Sequence, residues 1–176
     1  WETVLEEAKE AGIPVILSDR QMKVSDESLY ECWVGGNFVK EGETAGDWLA
    51  DYLEARGRGE EEINIVTIQG TIGASAQVGR TEGFGNKLAE HSNWKMLDMQ
   101  TGEFTQAKGQ EVMESFIKSY EGQFNVVVCQ NDNEAYGAMD AMDAAGITYG
   151  VDGDVTLISF DATHDGLQYT LDGKIN

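Results

Sequence analysis

The sequence predicts an α/β fold in which an open parallel sheet carries helices on both faces. The first observation is a regular alternation of short apolar runs with helical patterns beyond residue 60. The second is the run at residues 125–129, where three valines and a cysteine are adjacent, as in a strand buried on both faces. Strands that alternate with helices of this length form parallel sheets with right-handed crossovers.

The first 34 residues predict the end of a separate α/β domain. A helix is expected at 1–12, a strand at 13–17, a polar loop at 21–28 and a second strand at 29–34. Gly12 supplies a stop for the helix, and the first strand delivers Asp19 and Arg20 beyond its carboxyl end. We place a domain boundary at Gly35 and Gly36.

Residues 35–176 predict most of a second domain. A helical pattern at 37–56 is followed by strands at 63–68, 95–99, 125–129 and 155–159, with helices at 76–90, 105–120 and 133–145. Met139 and Met142 lie on the apolar stripe of the last of these helices, so we expect them in the core. After a final helix at 166–171 we expect a further strand beyond the chain. The chain is therefore expected to be a piece of a larger protein.

The charge balance limits the partners of this segment. With 12 basic and 32 acidic residues the formal charge is −20, which repels nucleic acid and anionic lipid. No apolar run approaches the ~18 residues that a membrane span needs. We therefore expect no nucleic-acid partner and no membrane span within this segment.

Thiol and metal chemistry are not predicted. We expect Cys32 and Cys129 to be buried free thiols, although a disulfide between them stays open. The acidic clusters at 131–134 and 152–154 lack the spacing of a calcium-binding loop. No metal and no cofactor are therefore expected.

Polar residues are expected to gather where the predicted strands end. In a flavodoxin-like sheet of order 2-1-3-4, ligands bind outside the carboxyl ends of the first and third strands, at the switch point. This order places the turn 69–75 beside the polar cluster 130–134. An arginine, an aromatic ring, an amide and a carboxylate then share one edge and suit a small polyhydroxylated ligand. These residues are Arg80, Phe104, Asn131 and Asp161.

Each of these residues has an alternative structural role. Asp132 is expected to cap the helix that starts near residue 133, and Asn131 either binds ligand or caps the turn. Phe104 either covers a ligand or forms a hydrophobic staple. Arg80 either binds ligand or pairs with Glu82 or a neighbouring acid.

Catalytic motifs are not matched. Residues 70–81 look like a phosphate loop, but five residues separate the relevant glycines where four are needed, and Arg80 replaces the lysine. Ser75 lacks the final glycine of a nucleophile elbow. His91 is expected to be solvated, and His164 has no matched nucleophile. We therefore expect no enzyme.

Several motifs in order resemble one family. These motifs are Asp19-Arg20, QGTIGAS at 69–75 leading to Arg80, GEFTQAKGQEVMESFIK at 102–118, QNDNEAYGAMDAM at 130–142 and Phe160-Asp161. Together they resemble the periplasmic sugar-binding proteins of bacterial ABC importers, of the ribose, galactose and galactofuranose type. The similarity covers essentially the whole chain and is greatest for the galactofuranose-binding branch.

The resemblance implies two type I lobes that close on one sugar about hinges, the first near Gly35. Residues 1–34 would end the amino-terminal lobe, and 35–176 would form a nearly complete, flavodoxin-like carboxyl-terminal lobe. The implied sugar contacts are Asp19 and Arg20 from the first lobe and Arg80, Phe104, Asn131 and Asp161 from the second. Asn133 and Ala162 depart from the residues that many relatives carry, which leaves the identity of the sugar open.

The resemblance implies a solute-binding component that captures a monosaccharide, galactofuranose or a related hexose or pentose. The implied partners are the sugar and an importer permease. The implied location is extracytoplasmic, either the periplasm or a lipid-anchored position on the outer face of the membrane, although this segment carries no signal. The alternative from another class is the sugar-effector domain of a lactose-repressor-type regulator, which shares the fold.

Overall fold

The computed structural model describes residues 1–120 and 122–176. The first part of the chain forms a small two-stranded unit. Helix α1 spans Glu2–Glu10, strand β1 Ile16–Ser18, a short 3-10 turn Glu27–Leu29 and strand β2 Cys32–Val34. The strands β1 and β2 are parallel, with Leu17 opposite Trp33.

Both strands of this unit begin later than the sequence predicts. Gly12 adopts a left-handed φ of 69°, and the N–H groups of Gly12 and Ile13 donate to carbonyls of α1. Ile13 therefore belongs to the cap that follows α1 and does not start the strand. Leu29 lies in the 3-10 turn, whose preceding residue, Asp26, accepts a hydrogen bond from the N–H of Ser28.

The second part contains a four-stranded parallel sheet. Its strands are β3 (Ile63–Gln69), β4 (Trp94–Thr101), β5 (Val126–Cys129) and β6 (Thr156–Ile158). Their order is β4-β3-β5-β6, and every neighbouring pair is parallel. Counted within this part, the order is the predicted 2-1-3-4, so the switch point between its first and third strands is confirmed.

Helices connect the strands and cover the sheet on both faces. They are α2 (Phe38–Ala55), α3 (Ser75–Leu88), α4 (Gln106–Tyr120), α5 (Asp132–Ala145) and α6 (His164–Leu171). Helices α2 and α3 pack together, as do α4 and α5. The α/β class with helices on both faces is therefore confirmed.

Successive residues of the strands point to two separate hydrophobic cores. Val127 and Cys129 of β5 face one core with Met113, Phe116 and Met142 of α4 and α5. The other core contains residues from the opposite strand face and from α2 and α3: Ile65, Val126, Val128, Leu49, Leu53 and Phe84. A strand whose side chains are buried on both sides must be apolar throughout, which explains the uninterrupted run of β5. Met139 and Met142 lie in the first core, as predicted.

The two cysteines have different environments. Both are free thiols, but Cys32 is exposed whereas Cys129 is buried. The prediction of burial is thus wrong for Cys32, because the short strand β2 leaves this side chain uncovered. Burial, with the nearby Glu134 and Asp132 charges, raises the pKa of the Cys129 thiol well above its ordinary value.

Two features are absent from the described ranges, 1–120 and 122–176. No helix there is long and apolar enough to cross a membrane. No three His, Cys, Asp or Glu side chains in those ranges are grouped to hold a metal ion.

Candidate functional site

The turns after β3, β4 and β5 are hydrogen-bonded into one edge. The N–H of Gly70 donates to Oε1 of Gln130 at 3.0 Å, and the hydroxyl of Thr101 donates to the carbonyl of Gly70 at 2.8 Å. The N–H of Gly102 donates to the carbonyl of Gln69 at 2.7 Å. Because these turns share bonds, the side chains that leave them hold fixed relative positions.

Arg80 projects from α3 into the centre of this edge and is 7% exposed. Its Nε donates to Glu41 at 2.9 Å, its Nη2 donates to Asp161 at 3.1 Å, and its Nη1 donates to the carbonyl of Gln130. The guanidinium carbon lies 4.8 Å from the ring centroid of Phe160. The neighbouring acids are thus Glu41 and Asp161. A guanidinium carries five N–H donors, so two remain for a ligand.

Phe104 is the aromatic ring of the edge. A Cβ at Gly70 would lie 1.9 Å from an atom of this ring, so the ring packs directly on the glycine. The Arg20 guanidinium carbon lies 4.6 Å from the ring centroid. These contacts cross the edge from one turn to the next, which favours a role at the site over a hydrophobic staple.

Asn131, and not Asp132, is the N-cap of α5. The Oδ1 of Asn131 accepts from the N–H of Glu134 at 2.9 Å, and its Nδ2 donates to the carbonyl of Phe104 at 3.2 Å. The prediction that Asp132 caps the helix is wrong, because the helix starts one residue earlier than expected. Asn131 keeps one N–H and one lone pair for a ligand, so capping and binding are compatible.

Asp132 instead holds the turn that follows β6. Its carboxylate accepts from the hydroxyl of Ser159 at 2.6 Å and from the N–H and hydroxyl of Thr163 at 2.7 and 2.8 Å. A Cβ at Gly166 would lie 2.3 Å from this carboxylate, so the glycine makes room for it. Asp161 lies between Ser159 and Thr163 in the chain, so the hydrogen bonds of these two residues fix its position.

Asp19 and Arg20 reach the same edge from the two-stranded unit. Nε of Arg20 donates to Oδ2 of Asp19 at 3.1 Å, and the indole N–H of Trp33 donates to the carbonyl of Asp19 at 3.0 Å. The N–H of Gln21 donates to the hydroxyl of Ser75, at the start of α3, at 3.0 Å. Arg20 and Phe104 thus join the two parts of the chain at the candidate site.

The backbone conformation marks the same turns. Within the described ranges, the non-glycine residues with positive φ are Asp19, Glu103, Phe104, Asp161 and Ala162, with φ between 54° and 95°. This region is unfavourable for residues with a Cβ, and such conformations concentrate at functional sites. Three of the six candidate residues have this conformation.

Glu134 contacts two of the candidate residues, Phe104 and Asn131, but was not predicted from the sequence as a site residue. Its side chain is completely buried, one oxygen accepts from the N–H of Phe104 at 2.9 Å, and the other has no hydrogen-bond partner among the described residues. Burial raises its pKa to about 7, against the opposing effect of the N–H groups of Phe104, Gln130 and Asn131 and the charge of Arg80. The sequence feature that could have indicated its burial is the pair of glycines, Gly102 and Gly109, which leave room for Glu134.

The six candidate residues differ in exposure: Arg80 and Asn131 are buried, Phe104 is half-buried, and Asp19, Arg20 and Asp161 are exposed. A cavity of about 660 Å³ lies between the two-stranded unit and α3, and none of the six residues lines it. A cavity of about 180 Å³ lies behind Arg80, against Phe84 and Phe160. The polar groups suited to a ligand therefore do not lie in these cavities, apart from Arg80.

The fold and the candidate site define a class: an α/β protein with an open parallel sheet whose polar turns lie at the carboxyl edge, where such sheets bind ligands. The family model described as "Periplasmic binding protein domain" matches residues 1–176. The chain belongs to this family, which confirms the resemblance inferred from the motifs.

Named relatives agree with this assignment. The chain is 40% identical over 178 aligned residues to the galactofuranose-binding protein YtfQ of Escherichia coli, covering 100% of this chain and 54% of that protein. It is 32% identical over 168 residues to the ribose import binding protein RbsB of the same organism, covering 96% of this chain and 51% of RbsB. The chain thus spans about half the length of these curated relatives. They are binding proteins by name, in agreement with the expectation of no enzyme.

Solved structures confirm the fold. A Mycobacterium smegmatis protein in complex with β-D-fucofuranose superposes with a TM-score of 0.92 at 43% identity, over 100% of this chain and 56% of that one. The binding protein of the arabinose ABC transporter from Shewanella sp. ANA-3, bound to α- and β-L-arabinofuranose, gives a TM-score of 0.91 at 41% identity, over 100% and 56%. The Shewanella protein is a periplasmic binding protein by name, and both structures share the α/β architecture of this chain.

Proposed function

We propose that this chain belongs to the solute-binding component of a bacterial ABC sugar importer and binds a monosaccharide between two lobes. Residues 1–34 would end the amino-terminal lobe and 35–176 would form the carboxyl-terminal lobe, with a hinge near Gly35. The fact that the chain spans about half the length of its relatives supports this division. The named relatives favour an importer component over the repressor-type effector domain.

One observation carries the proposal: the six candidate residues are joined into one cluster at the sheet edge. Arg20 lies over Phe104, the carbonyl of Phe104 accepts from Asn131, and Arg80 bonds to the adjoining Gln130 carbonyl and to Asp161. Arg80, Asn131 and Asp161 thus contribute hydrogen-bonding groups to the same cluster as the Phe104 ring. Sugars need this combination, because their hydroxyls bond to polar groups while their C–H faces pack on an aromatic.

We propose that the ligand is a furanose, galactofuranose or a related hexose or pentose. One relative similar over this whole chain, YtfQ, is named for galactofuranose, and two similar solved structures contain fucofuranose and arabinofuranose. The polar side chains of the cluster suit such a ligand. The arginine guanidinium and the asparagine amide are planar groups that can form paired hydrogen bonds, and a carboxylate can accept from two neighbouring hydroxyls.

The partner and location follow from the same proposal. We propose that the complete protein delivers its sugar to the permease of an ABC importer and acts outside the cytoplasm. RbsB and a fructose import binding protein of Bifidobacterium longum, 31% identical over 182 residues, are import proteins by name.

Calorimetric titration of the full-length protein with pentoses and hexoses, furanose forms included, tests the proposal. We expect tight binding of one sugar without turnover, and Arg80→Gln should weaken it at least tenfold, as expected for loss of charge-assisted hydrogen bonds. Arg58→Gln is the matched control, because Arg58 pairs with Glu61 before β3, at the opposite end of the strands. Consumption of the sugar, or sugar-dependent release from DNA, would refute the proposal.

A further inference from the structure

Glu134 is a buried acid that the proposed sugar contacts do not include. It lies in the first turn of α5 and is 0% exposed, and within residues 1–120 and 122–176 its Oε2 has no hydrogen-bond partner. A buried carboxylate with an unpaired oxygen is unfavourable, so an apolar residue of the same length would stabilise this position better. Stability of the fold alone is therefore a poor explanation for an acid here.

The hydrogen bonds of Glu134 point to the backbone of Phe104. Its Oε1 accepts from the Phe104 N–H at 2.9 Å, while Asn131 Nδ2 donates to the Phe104 carbonyl at 3.2 Å. Asn131 Oδ1 in turn accepts from the Glu134 N–H at 2.9 Å. The start of α5 thus holds both polar groups of the Phe104 backbone.

Two glycines on other elements make room for Glu134. A Cβ at Gly102, beyond β4, would lie 2.9 Å from Oε1 of Glu134, and a Cβ at Gly109, in α4, would lie 2.8 Å from its Cα. Larger residues at these positions would displace the carboxylate from the Phe104 N–H. Phe104 itself has a left-handed φ of 60°, so its conformation needs support from surrounding groups.

We infer that Glu134 is a positioning residue for sugar binding, acting through Phe104. Its carboxylate fixes the backbone of Phe104 and so holds the ring at the place where it covers the sugar. This inference rests on the proposed sugar-binding function, in which Phe104 is the stacking aromatic.

Calorimetry of full-length variants tests this inference. Each variant is titrated with the sugar that the wild-type protein binds, and the affinities are compared. Glu134→Leu removes the acceptor and should weaken binding on the order of tenfold, whereas Glu134→Gln keeps an acceptor oxygen and should stay within about threefold. In a Phe104→Ala background the effect of Glu134→Leu should fall below about twofold, because the ring through which it acts is absent. Glu114→Leu, at an exposed position of α4, is the matched control and should leave affinity unchanged.

A second measurement needs no sugar. Amide hydrogen exchange at Phe104 should accelerate on the order of tenfold in Glu134→Leu and remain near the wild-type rate in Glu134→Gln. If Glu134→Leu does not fold, Glu134→Asp replaces it, because the shorter side chain keeps the charge but loses the reach to the Phe104 N–H.

The outcomes separate the two proposals. A wild-type protein that binds no sugar overturns the proposed function, and this inference with it. If the wild-type protein binds sugar, two results overturn the inference alone. One is that Glu134→Leu binds the sugar as tightly as the wild type. The other is that Glu134→Leu weakens binding as much in the Phe104→Ala background as in the wild-type background. Unchanged exchange of the Phe104 amide in Glu134→Leu also overturns it.

Discussion

Replacing Glu134 by glutamine should change how the stability of the protein depends on pH. Burial raises the pKa of Glu134 from an ordinary value of 4.5 to about 7 in the folded protein. The folded state therefore binds a proton more tightly than the unfolded state between these two values. The contribution of this group to stability is fully present below pH 4.5 and is lost as the pH rises through about 7.

The size of this effect follows from the two pKa values. At 1.36 kcal/mol for each pKa unit, the interval from 4.5 to about 7 corresponds to about 3 kcal/mol. Glutamine at this position does not titrate. The free energy of unfolding of the wild type minus that of Glu134→Gln should therefore fall by about 3 kcal/mol between pH 4 and pH 8.

Urea denaturation of the full-length proteins, followed by tryptophan fluorescence, measures this difference. Trp94 is a suitable reporter because it is buried in the core between the sheet and α2 and α3. Other acids titrate in both proteins and cancel in the comparison. A difference that stays constant within 0.5 kcal/mol from pH 4 to pH 8 would show that Glu134 is ionised normally and that the reasoning from burial is wrong.

Three further predictions concern the site and the thiols. Asn131→Ala should weaken sugar binding by about 1 kcal/mol or more and also destabilise the protein by about 1 kcal/mol, since it would remove the proposed ligand contact and the helix cap; calorimetry and urea denaturation measure the two effects. Gly70→Ala should weaken sugar binding at least tenfold in calorimetry, because its Cβ would lie 1.9 Å from the Phe104 ring and must displace it. In the native protein a chromogenic disulfide reagent should titrate Cys32 but not Cys129, because Cys129 is buried and its raised pKa keeps it protonated.

Each of these predictions has its own control. Asn131→Ser retains a capping oxygen, so it should restore stability without restoring affinity; if Asn131→Ala changes affinity by less than 0.5 kcal/mol, the ligand role is wrong. Gly85→Ala places its Cβ in open space within α3 and should raise stability by about 0.5–1 kcal/mol with affinity unchanged. Equal reaction of both thiols before denaturation would contradict the burial of Cys129.

The fold was predictable because its signals are local and repeated. Each core strand of the second part is a short apolar run, and each helix between them shows helical spacing, so the parallel topology follows from alternation alone. The edge that carries the site then follows from the switch-point rule. The starts of the short strands β1 and β2 were less predictable. Ile13 and Leu29 look like strand residues, but Ile13 lies in the cap after α1 and Leu29 lies in a capped 3-10 turn.

The details of the site depended on packing that the sequence does not display. Asn131 and Asp132 are adjacent and both are good cap residues, so only the position of the first helical turn decides between them. Glu134 looks like an ordinary acid in the first turn of a helix, and its burial depends on the approach of Gly102 and Gly109. The ion pair of Arg80 with Glu41 joins positions 39 residues apart.

The left-handed turns also restrict how the ligand preference of such a site could evolve. Asp19, Phe104 and Asp161 occupy backbone conformations that β-branched side chains tolerate poorly. Valine, isoleucine and threonine are therefore disfavoured at these positions whatever contacts they would offer. Arg80 and Asn131 lie outside this restriction, so a change of sugar should arise more readily through them than through the turns that fix the ring and the carboxylates.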